Sequence, residues 1–302
     1  MTYVGRFAPS PTGPLHIGSL TTAVASFLHA KQASGEWLVR IEDIDPPREV
    51  PGAADQILRT LEAFELPWDR SVAYQSRRIA IYRETADSLL RSGHAFRCSC
   101  TRSVLRAAGK SGAARYPGTC RNKVRHKRAT AVRARVEPGE HTYVDGLQGL
   151  QTSDLHATLG DYVIFRRDDL PAYHLAVVVD DAAQGVTTVV RGIDLLQSTT
   201  AHLHLQKTLA VPTPAYFHLP VVTNASGQKL SKQTMAKPVD IAARGAIAVR
   251  VLEYLGLAVP EGLRGTSPGM LWEWALCNWR IAALSGKAEL PELELVDLQK
   301  VD

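Results

Sequence analysis

The chain has 302 residues, 45% of them hydrophobic, 22% charged and 7% aromatic, with a net charge of +5 and a pI near 9.0. This length and balance allow a sizeable core, exceed one average domain and exclude a disordered or low-complexity protein. Mild basicity favours a polyanionic partner without demonstrating one.

The opening MTYVGRFAPSPTG lacks a basic stretch followed by an apolar one, and no run approaches the ~18 apolar residues of a membrane span. The expectation is a cytoplasmic protein without a membrane segment, in which nothing calls for an obligate protein partner. Residues 3–8 read as a strand that stops at Pro9, with a turn through Pro11-Thr12-Gly13-Pro14. Leu20, Val24, Phe27 and Leu28 recur at helical spacing from Gly18 to about Ala33, and a second strand runs from Trp37 to Glu42. This β-loop-α-β unit is the first half of a nucleotide-binding α/β sheet.

Helical patterns follow at roughly 52–65 and 77–92. From Cys98 the chain turns rich in Gly, Arg and Lys, and its clustered cysteines mark residues 95–160 as an insert. The α/β pattern resumes near Asp161 with a helix over 174–184, a strand from Thr187 to Arg191, a helix over 195–210 and a strand from Tyr216 to Val222. Two more helices are predicted over 240–256 and 268–285, followed by a loosely held polar tail. Of the four cysteines, Cys98, Cys100 and Cys120 suit a metal site better than a disulfide framework, and Cys277 reads as a core thiol. Zinc needs four ligands in a closed structural site. On chemistry alone the fourth is open between Tyr116, His94, His126 and water, with a histidine preferred.

His16 and Gly18, in Pro14-Leu15-His16-Ile17-Gly18-Ser19, lie where the first strand hands over to a helix, the place at which α/β folds hold phosphates on a helix N-terminus. The whole opening RFAPSPTGPLHIGSL resembles the signature of the glutamyl and glutaminyl class I aminoacyl-tRNA synthetases, whose "HIGH" motif holds ATP. Ser19 departs from that motif's last histidine; its hydroxyl can hydrogen-bond a nucleotide but offers no titratable charge. Lys229-Leu230-Ser231-Lys232-Gln233 resembles the family's "KMSKS" loop. It implies Lys232, assisted by Lys229, as the stabiliser of charge developing on ATP phosphates.

Glutamate presents two carboxylates and one ammonium, so a pocket selective for it needs cationic forks and an anion. Arg6 and Arg191, at strand ends, are candidate forks, and which takes which carboxylate stays open. Glu42 in Arg40-Ile41-Glu42-Asp43-Ile44-Asp45 is the candidate for the amine, in line with the family's R-x-E-D-x-D motif. The resemblance adds Phe7, Ala8, Pro9 and Ser10 as pocket lining and Tyr173 as a hydroxyl donor.

Cys98-x-Cys100 with Tyr116-x-x-x-Cys120 resembles the zinc site of the glutamyl-queuosine tRNA(Asp) synthetases, which implies Tyr116 as the fourth ligand of one structural zinc. Arg121, Lys123, Arg125, Lys127, Arg128, Arg133 and Arg135 place seven cations in 15 residues beside it, expected to contact tRNA phosphates. The resemblance, over about residues 3–240, implies an α/β fold with a class I Rossmann-type parallel sheet (1–94 and 161–222), an inserted zinc-binding lobe (95–160), and a lysine loop with a small helical region (223–302). It also implies ATP, with Mg, and L-glutamate as substrates. Only 69 residues follow Gln233, roughly an 11 Å lobe, which is too small for a separate anticodon-binding domain. The acceptor thus implied is queuosine in the wobble position of tRNA(Asp). A short 3′-end glutamyl-tRNA synthetase and a non-catalytic zinc-stapled RNA-binding protein are the alternatives.

Overall fold

The computed structural model describes residues 2–101, 103, 116–123, 129–223 and 237–291. Strand β1 (Val4–Phe7) pairs in parallel with β2 (Glu36–Ile41), which pairs in parallel with the short β3 (Ala73–Tyr74). Further along, β9 (Thr188–Gly192) and β10 (Ala215–Leu219) form a second parallel pair. The backbone joins the two sets, for Thr187 N donates to Val4 O at 2.9 Å, giving the spatial order β3-β2-β1-β9-β10. Between β1 and β9 the chain order reverses direction, and at such a point an open α/β sheet leaves a crevice beyond its strand ends.

Helix α1 (Ile17–Gln32) buries residues on almost every side, including Leu20, Ala23, Val24, Phe27 and Leu28. A helix apolar around its circumference belongs at the centre of a core. Around it pack Trp37 of β2, Ile57 and Leu61 of α2 (Ala53–Ala63), Leu252 of α7 (Arg244–Tyr254) and Trp272 of α8 (Pro268–Asn278). The C-terminal helices therefore share a core with the first half of the sheet.

A second core forms where α3 (Ile79–Arg91), α5 (Tyr173–Gln184) and α6 (Ser198–Leu209) cover an antiparallel sheet of β4 (Ala95–Cys98), β5 (Ala131–Ala134) and β8 (Val163–Phe165). That sheet extends past residue 160 into β8, because β5 needs a partner on its other edge. The hairpin β6 (Glu140–Asp145) and β7 (Gly149–Asp154) leads through the one-turn helix α4 (Leu155–Thr158) back to β8.

Several boundaries differ from the sequence expectation for local reasons. The strand predicted over 216–222 splits into β10 and β11 (Val221–Thr223) at Pro220, which has no N–H to continue a ladder. The helix predicted over 268–285 stops at Asn278, where fully buried Trp279 takes an extended conformation before a 3-10 turn at Ile281–Leu284. Cys277 is exposed rather than a core thiol. It sits two residues, hence roughly 200° of helix, beyond buried Ala275. The tail expected to be loosely held contributes β12 (Glu289–Pro291), parallel to β11.

One buried charge lattice ties the sheet to α5. Arg40, with no exposed surface, places Nη1 2.8 Å from Asp181 Oδ1 and Nη2 3.4 Å from Glu42 Oε1, with Nε 3.8 Å from Asp180. Arg6 Nε lies 3.2 Å from Asp181, and Arg78 Nε 2.7 Å from Asp180. Removing one member of a buried ion network strands the others. Arg40→Leu is expected to cost about 3–5 kcal/mol, measurable as a lower urea midpoint; an unchanged midpoint would show that the lattice does not hold the fold.

Candidate active site

Arg6, Phe7, Ala8, Ser10, Glu42, Tyr173 and Arg191 line one cavity of about 660 Å³ at the carboxyl ends of β1, β2 and β9. The strands deliver these residues directly. Arg6 lies within β1, Glu42 follows β2, Arg191 lies within β9 and Tyr173 opens α5. Glu42 N donates to Pro9 O at 3.0 Å, which fastens the end of β2 to the proline-rich turn after β1.

The two arginines are held differently. Arg6 gives its Nε–H to Asp181, and its positive charge is shared with that carboxylate. Arg191, 4% exposed, has only neutral acceptors among its described hydrogen-bond partners. Nε donates to His218 Nε2 at 3.0 Å; Nη1 reaches the Tyr173 hydroxyl at 3.4 Å and His202 Nδ1 at 3.3 Å; Nη2 reaches Leu195 O at 3.2 Å and Thr199 Oγ1 at 2.8 Å. Burial holds His202 well below the usual histidine range and His174 near 4, with Arg191 adding to both, so the imidazoles around this guanidinium are neutral.

Among the described residues no carboxylate lies within ion-pair distance of Arg191, and a buried unpaired cation is costly unless an anion completes it. Glu42 has the opposite need. Burial raises its pKa, and Arg40 and Arg6 only partly offset that, so an added cation in the cavity would favour its charged form. Burial raises the Tyr173 pKa as well; its hydroxyl stays protonated and, while accepting from Arg191, can donate to a ligand.

A second cavity of about 340 Å³ shares Phe7, Ser10, Thr22, Gly192 and Asp194 with the first and adds Pro9, His16, Gly18 and Ser19 at the N-terminus of α1. His16 is the N-cap: its Nδ1 accepts from Ser19 N at 3.3 Å, while Ser19 Oγ accepts from His16 N at 2.9 Å. The Ser19 hydroxyl also donates to His16 O at 2.8 Å. Ser19, expected as a nucleotide contact, thus closes a capping box, which explains a hydroxyl three residues after the cap. No acidic residue occupies the first turn of α1, leaving its N–H end to an anion. Lys229 and Lys232 lie outside the described residues. On one side of that segment Val221 lines this cavity, and on the other Pro238 bridges to His16 while Val239 N donates to Leu15 O at 3.0 Å.

Cys98, Cys100 and Cys120 bring their three Sγ atoms within 4.8 Å of one another, close enough to hold one metal ion. The Tyr116 hydroxyl stands 3.5 Å from Cys98 Sγ and 4.0 Å from Cys100 Sγ, and Cys100 and Cys120 are 3.6 Å apart. Thiolates bound at ~2.3 Å to a tetrahedral ion stand about 3.8 Å apart, close to the 3.6 Å between Cys100 and Cys120. His94, the donor preferred on chemistry alone, lines a different cavity with Arg135 and His204; His126 lies outside the described residues. Phe96 packs with Cys98, Tyr116 and Cys120 in a small cluster of their own.

Three described cations of the run, Arg121, Arg133 and Arg135, have partners within the protein. Arg121 pairs with Glu137 and with Asp161 at 3.2 Å; Arg133, buried, donates to Asp161 O at 2.7 Å and lies over the Tyr116 ring; Arg135 lies over Phe96. Arg133 and Arg135 thus pack on aromatic rings of the cysteine cluster, and Arg121 on the acids Glu137 and Asp161. Lys123 is exposed, and Arg125, Lys127 and Arg128 lie outside the described residues.

Residues 3–264 match the family described as class I tRNA synthetases (E and Q), catalytic domain. A glutamyl-Q tRNA(Asp) synthetase of Chromobacterium violaceum is 50% identical over 293 residues, 96% of this chain and 98% of the relative. The Neisseria meningitidis serogroup C protein of the same name is 48% identical over 96% of this chain and 99% of its own length. The chain belongs to the glutamyl-Q tRNA(Asp) synthetase family. It is accordingly a ligase of the class I aminoacyl-tRNA synthetase group and a tRNA-modifying enzyme. A glutamate tRNA ligase from Elizabethkingia meningosepticum, solved with its amino acid, superposes with a TM-score of 0.79 at 25% identity, covering 96% of this chain and 67% of that one. No helix among the described residues is long and apolar enough to cross a membrane.

Sequence reasoning missed Asp180 and Asp181, although two adjacent acids in the apolar helix VVVDDAAQ signal a buried charge partner. It also missed the neutral cage of His202, His218 and Thr199, for which no spacing gives a signal. Ser19→Ala is expected to lower stability by about 1 kcal/mol through loss of the cap while changing ATP affinity less than twofold; a large loss of ATP affinity with unchanged stability would return Ser19 to the nucleotide.

Proposed function

We propose that this protein activates L-glutamate with ATP to glutamyl-adenylate, releasing pyrophosphate, and transfers the glutamyl group to queuosine in the wobble position of tRNA(Asp). The observation that carries the reading is Arg191, a buried cation with neutral partners, facing a cavity that also contains Glu42, whose burial Arg40 and Arg6 offset only in part. An α-amino acid with an acidic side chain supplies both charges. Arg191 and Arg6 take the carboxylates, Glu42 the ammonium and Tyr173 a further hydrogen bond. Phe7, Ala8, Pro9 and Ser10 shape the wall shared with the nucleotide side.

ATP sits in the adjoining cavity with phosphates on the N-terminus of α1 beside His16 and Gly18, and Mg²⁺ accompanies the phosphates. The amino acid carboxylate then attacks the α-phosphate in line as pyrophosphate leaves, and Lys232, assisted by Lys229, stabilises the charge that develops. The strand order β3-β2-β1-β9-β10 supports a Rossmann-type reading of the sheet, with reactants at its switch point. The acceptor is inferred from the names of the relatives. Their coverage and identity favour it over charging of a tRNA 3′ end.

Zinc is the metal best suited to three thiolates and a phenolate in a closed tetrahedral site, and its role is structural. Metal analysis of the purified protein should find one equivalent of zinc. Chelation should raise hydrogen exchange in residues 95–160 more than in the parallel sheet; zinc-free protein with ordinary protection there would remove the metal from the scheme.

The central test is pyrophosphate exchange dependent on glutamate and ATP without tRNA, followed by transfer of labelled glutamate to tRNA(Asp) with and without queuosine. Exchange followed by queuosine-dependent transfer is expected, and a lack of exchange would sink the activation step. Transfer abolished by periodate oxidation of a 3′-terminal diol in queuosine-free tRNA would redirect the acceptor to the 3′ end. Lys232→Ala should slow exchange with the fold intact, by about 10²-fold if it is the principal phosphate stabiliser.

The raised pKa of Glu42 sets a pH dependence. The ammonium needs the carboxylate form, so the KM for glutamate should rise as the pH falls through a range above the ordinary glutamate value. In Glu42→Gln that slope should disappear along with most of the affinity. A glutamate KM flat with pH in the unaltered protein would take the amine away from Glu42.

A further inference from the structure

Arg191 owes its neutral surroundings to an arrangement that begins at the outer edge of β10. Asp145, at the end of β6, accepts three backbone N–H groups on Oδ1, from Gln148 at 2.9 Å, Leu147 at 3.0 Å and His218 at 3.2 Å. Its Oδ2 lies 2.6 Å from His218 Nδ1, and both side chains are fully buried. A carboxylate at that distance fixes the proton on Nδ1, which leaves the lone pair of Nε2 facing the Nε–H of Arg191 at 3.0 Å. Thr199 Oγ1, 3.2 Å from the same Nε2, also receives Arg191 Nη2–H. The Tyr216 ring stacks on His218 with an interplanar angle of 10° and lies under the guanidinium.

The contrast with the other buried arginines is chemical. Arg6 and Arg40 contact carboxylates directly, whereas the countercharge of Arg191 stands one imidazole ring away. A carboxylate in direct contact takes up part of a guanidinium's charge, as Asp181 does for Arg6. A neutral imidazole orients the guanidinium and leaves that charge uncancelled.

We propose that Asp145 and His218 are positioning residues for amino-acid recognition, which hold Arg191 rigid through the Nδ1–H tautomer of His218 while keeping its charge available to the substrate carboxylate. This rests on the reading of the cavity as a glutamate pocket. The backbone supports the arrangement from outside. Gly146 N donates to Tyr216 O at 2.8 Å, and a Cβ at Gly146 would fall 2.1 Å from the Phe217 ring, so the turn after Asp145 is seated tightly on β10, the strand that carries His218.

The test is steady-state pyrophosphate exchange by the full chain, with separate titrations of glutamate and ATP. In His218→Phe the stacked ring remains but the acceptor is lost. The KM for glutamate should rise about tenfold or more, the loss of one hydrogen bond to a charged group, with the KM for ATP within about twofold. In His218→Gln an amide oxygen can accept from Arg191, and most of the loss should be recovered. A glutamate KM unchanged in His218→Phe, or glutamate and ATP KM raised together and unrecovered by His218→Gln, overturns the inference alone. If circular dichroism shows His218→Phe unfolded, the near-isosteric Asp145→Asn decides: a selective rise in glutamate KM supports the inference and an unchanged KM overturns it. Absence of glutamate-dependent exchange in the unaltered protein would overturn the pocket reading and this inference with it.

Discussion

The buried ion lattice around Arg40 is the constraint on which the catalytic half depends. Three cations, Arg6, Arg40 and Arg78, meet three carboxylates, Glu42, Asp180 and Asp181, so the lattice can be neutral as a whole. Burial pushes the Asp181 carboxyl upward, but Arg6 and Arg40 outweigh it and hold Asp181 below the usual carboxylate range. Because the desolvation cost of each ion is offset only in correct geometry, β1, β2, α5 and the turn after β3 are locked in one relative position. That position places Arg6 and Glu42 on one wall of the cavity. Gln75 and Tyr82 add hydrogen bonds to Asp180 and tie α3 to the same point.

Against this balanced lattice, Arg191 is set apart by design of its neighbours. Neutral imidazoles, hydroxyls and a carbonyl hold it in place, so its rigidity costs none of its charge. The cavity thus combines two ways of fixing a buried cation. One is compensated and structural, the other open and available for recognition. A polar ligand entering between them meets groups whose orientation is settled beforehand, which lowers the ordering cost of binding.

Much of this architecture was legible in the sequence because it rests on local rules. Alternation and helical spacing located β1, α1, β2, α5, β9 and α6 within a few residues, and Pro and Gly marked their ends. Arg6, Glu42 and Arg191 were visible as charges at strand ends, and three closely spaced cysteines declared their own cluster. What escaped was set by tertiary contact. Whether Arg133 touches solvent or the Tyr116 ring depends on how β5 pairs, and the role of Ser19 depends on a three-residue capping geometry that competes with a ligand for the same hydroxyl. Asp145 and His218 are separated by 73 positions, a distance over which residue type alone carries no pairing signal.

The chain on either side of the lysine segment ends in firm structure. Thr223 closes β11, which β12 covers in parallel, and Pro238 pairs with His16. Lys229 is six residues from Thr223 and Lys232 five from Lys237. The cavity at the N-terminus of α1 is thereby walled by both flanks of the segment, Val221 on one side and the Pro238–His16 bridge on the other, so a displacement of the C-terminal strand β12 would be transmitted to that wall through β11.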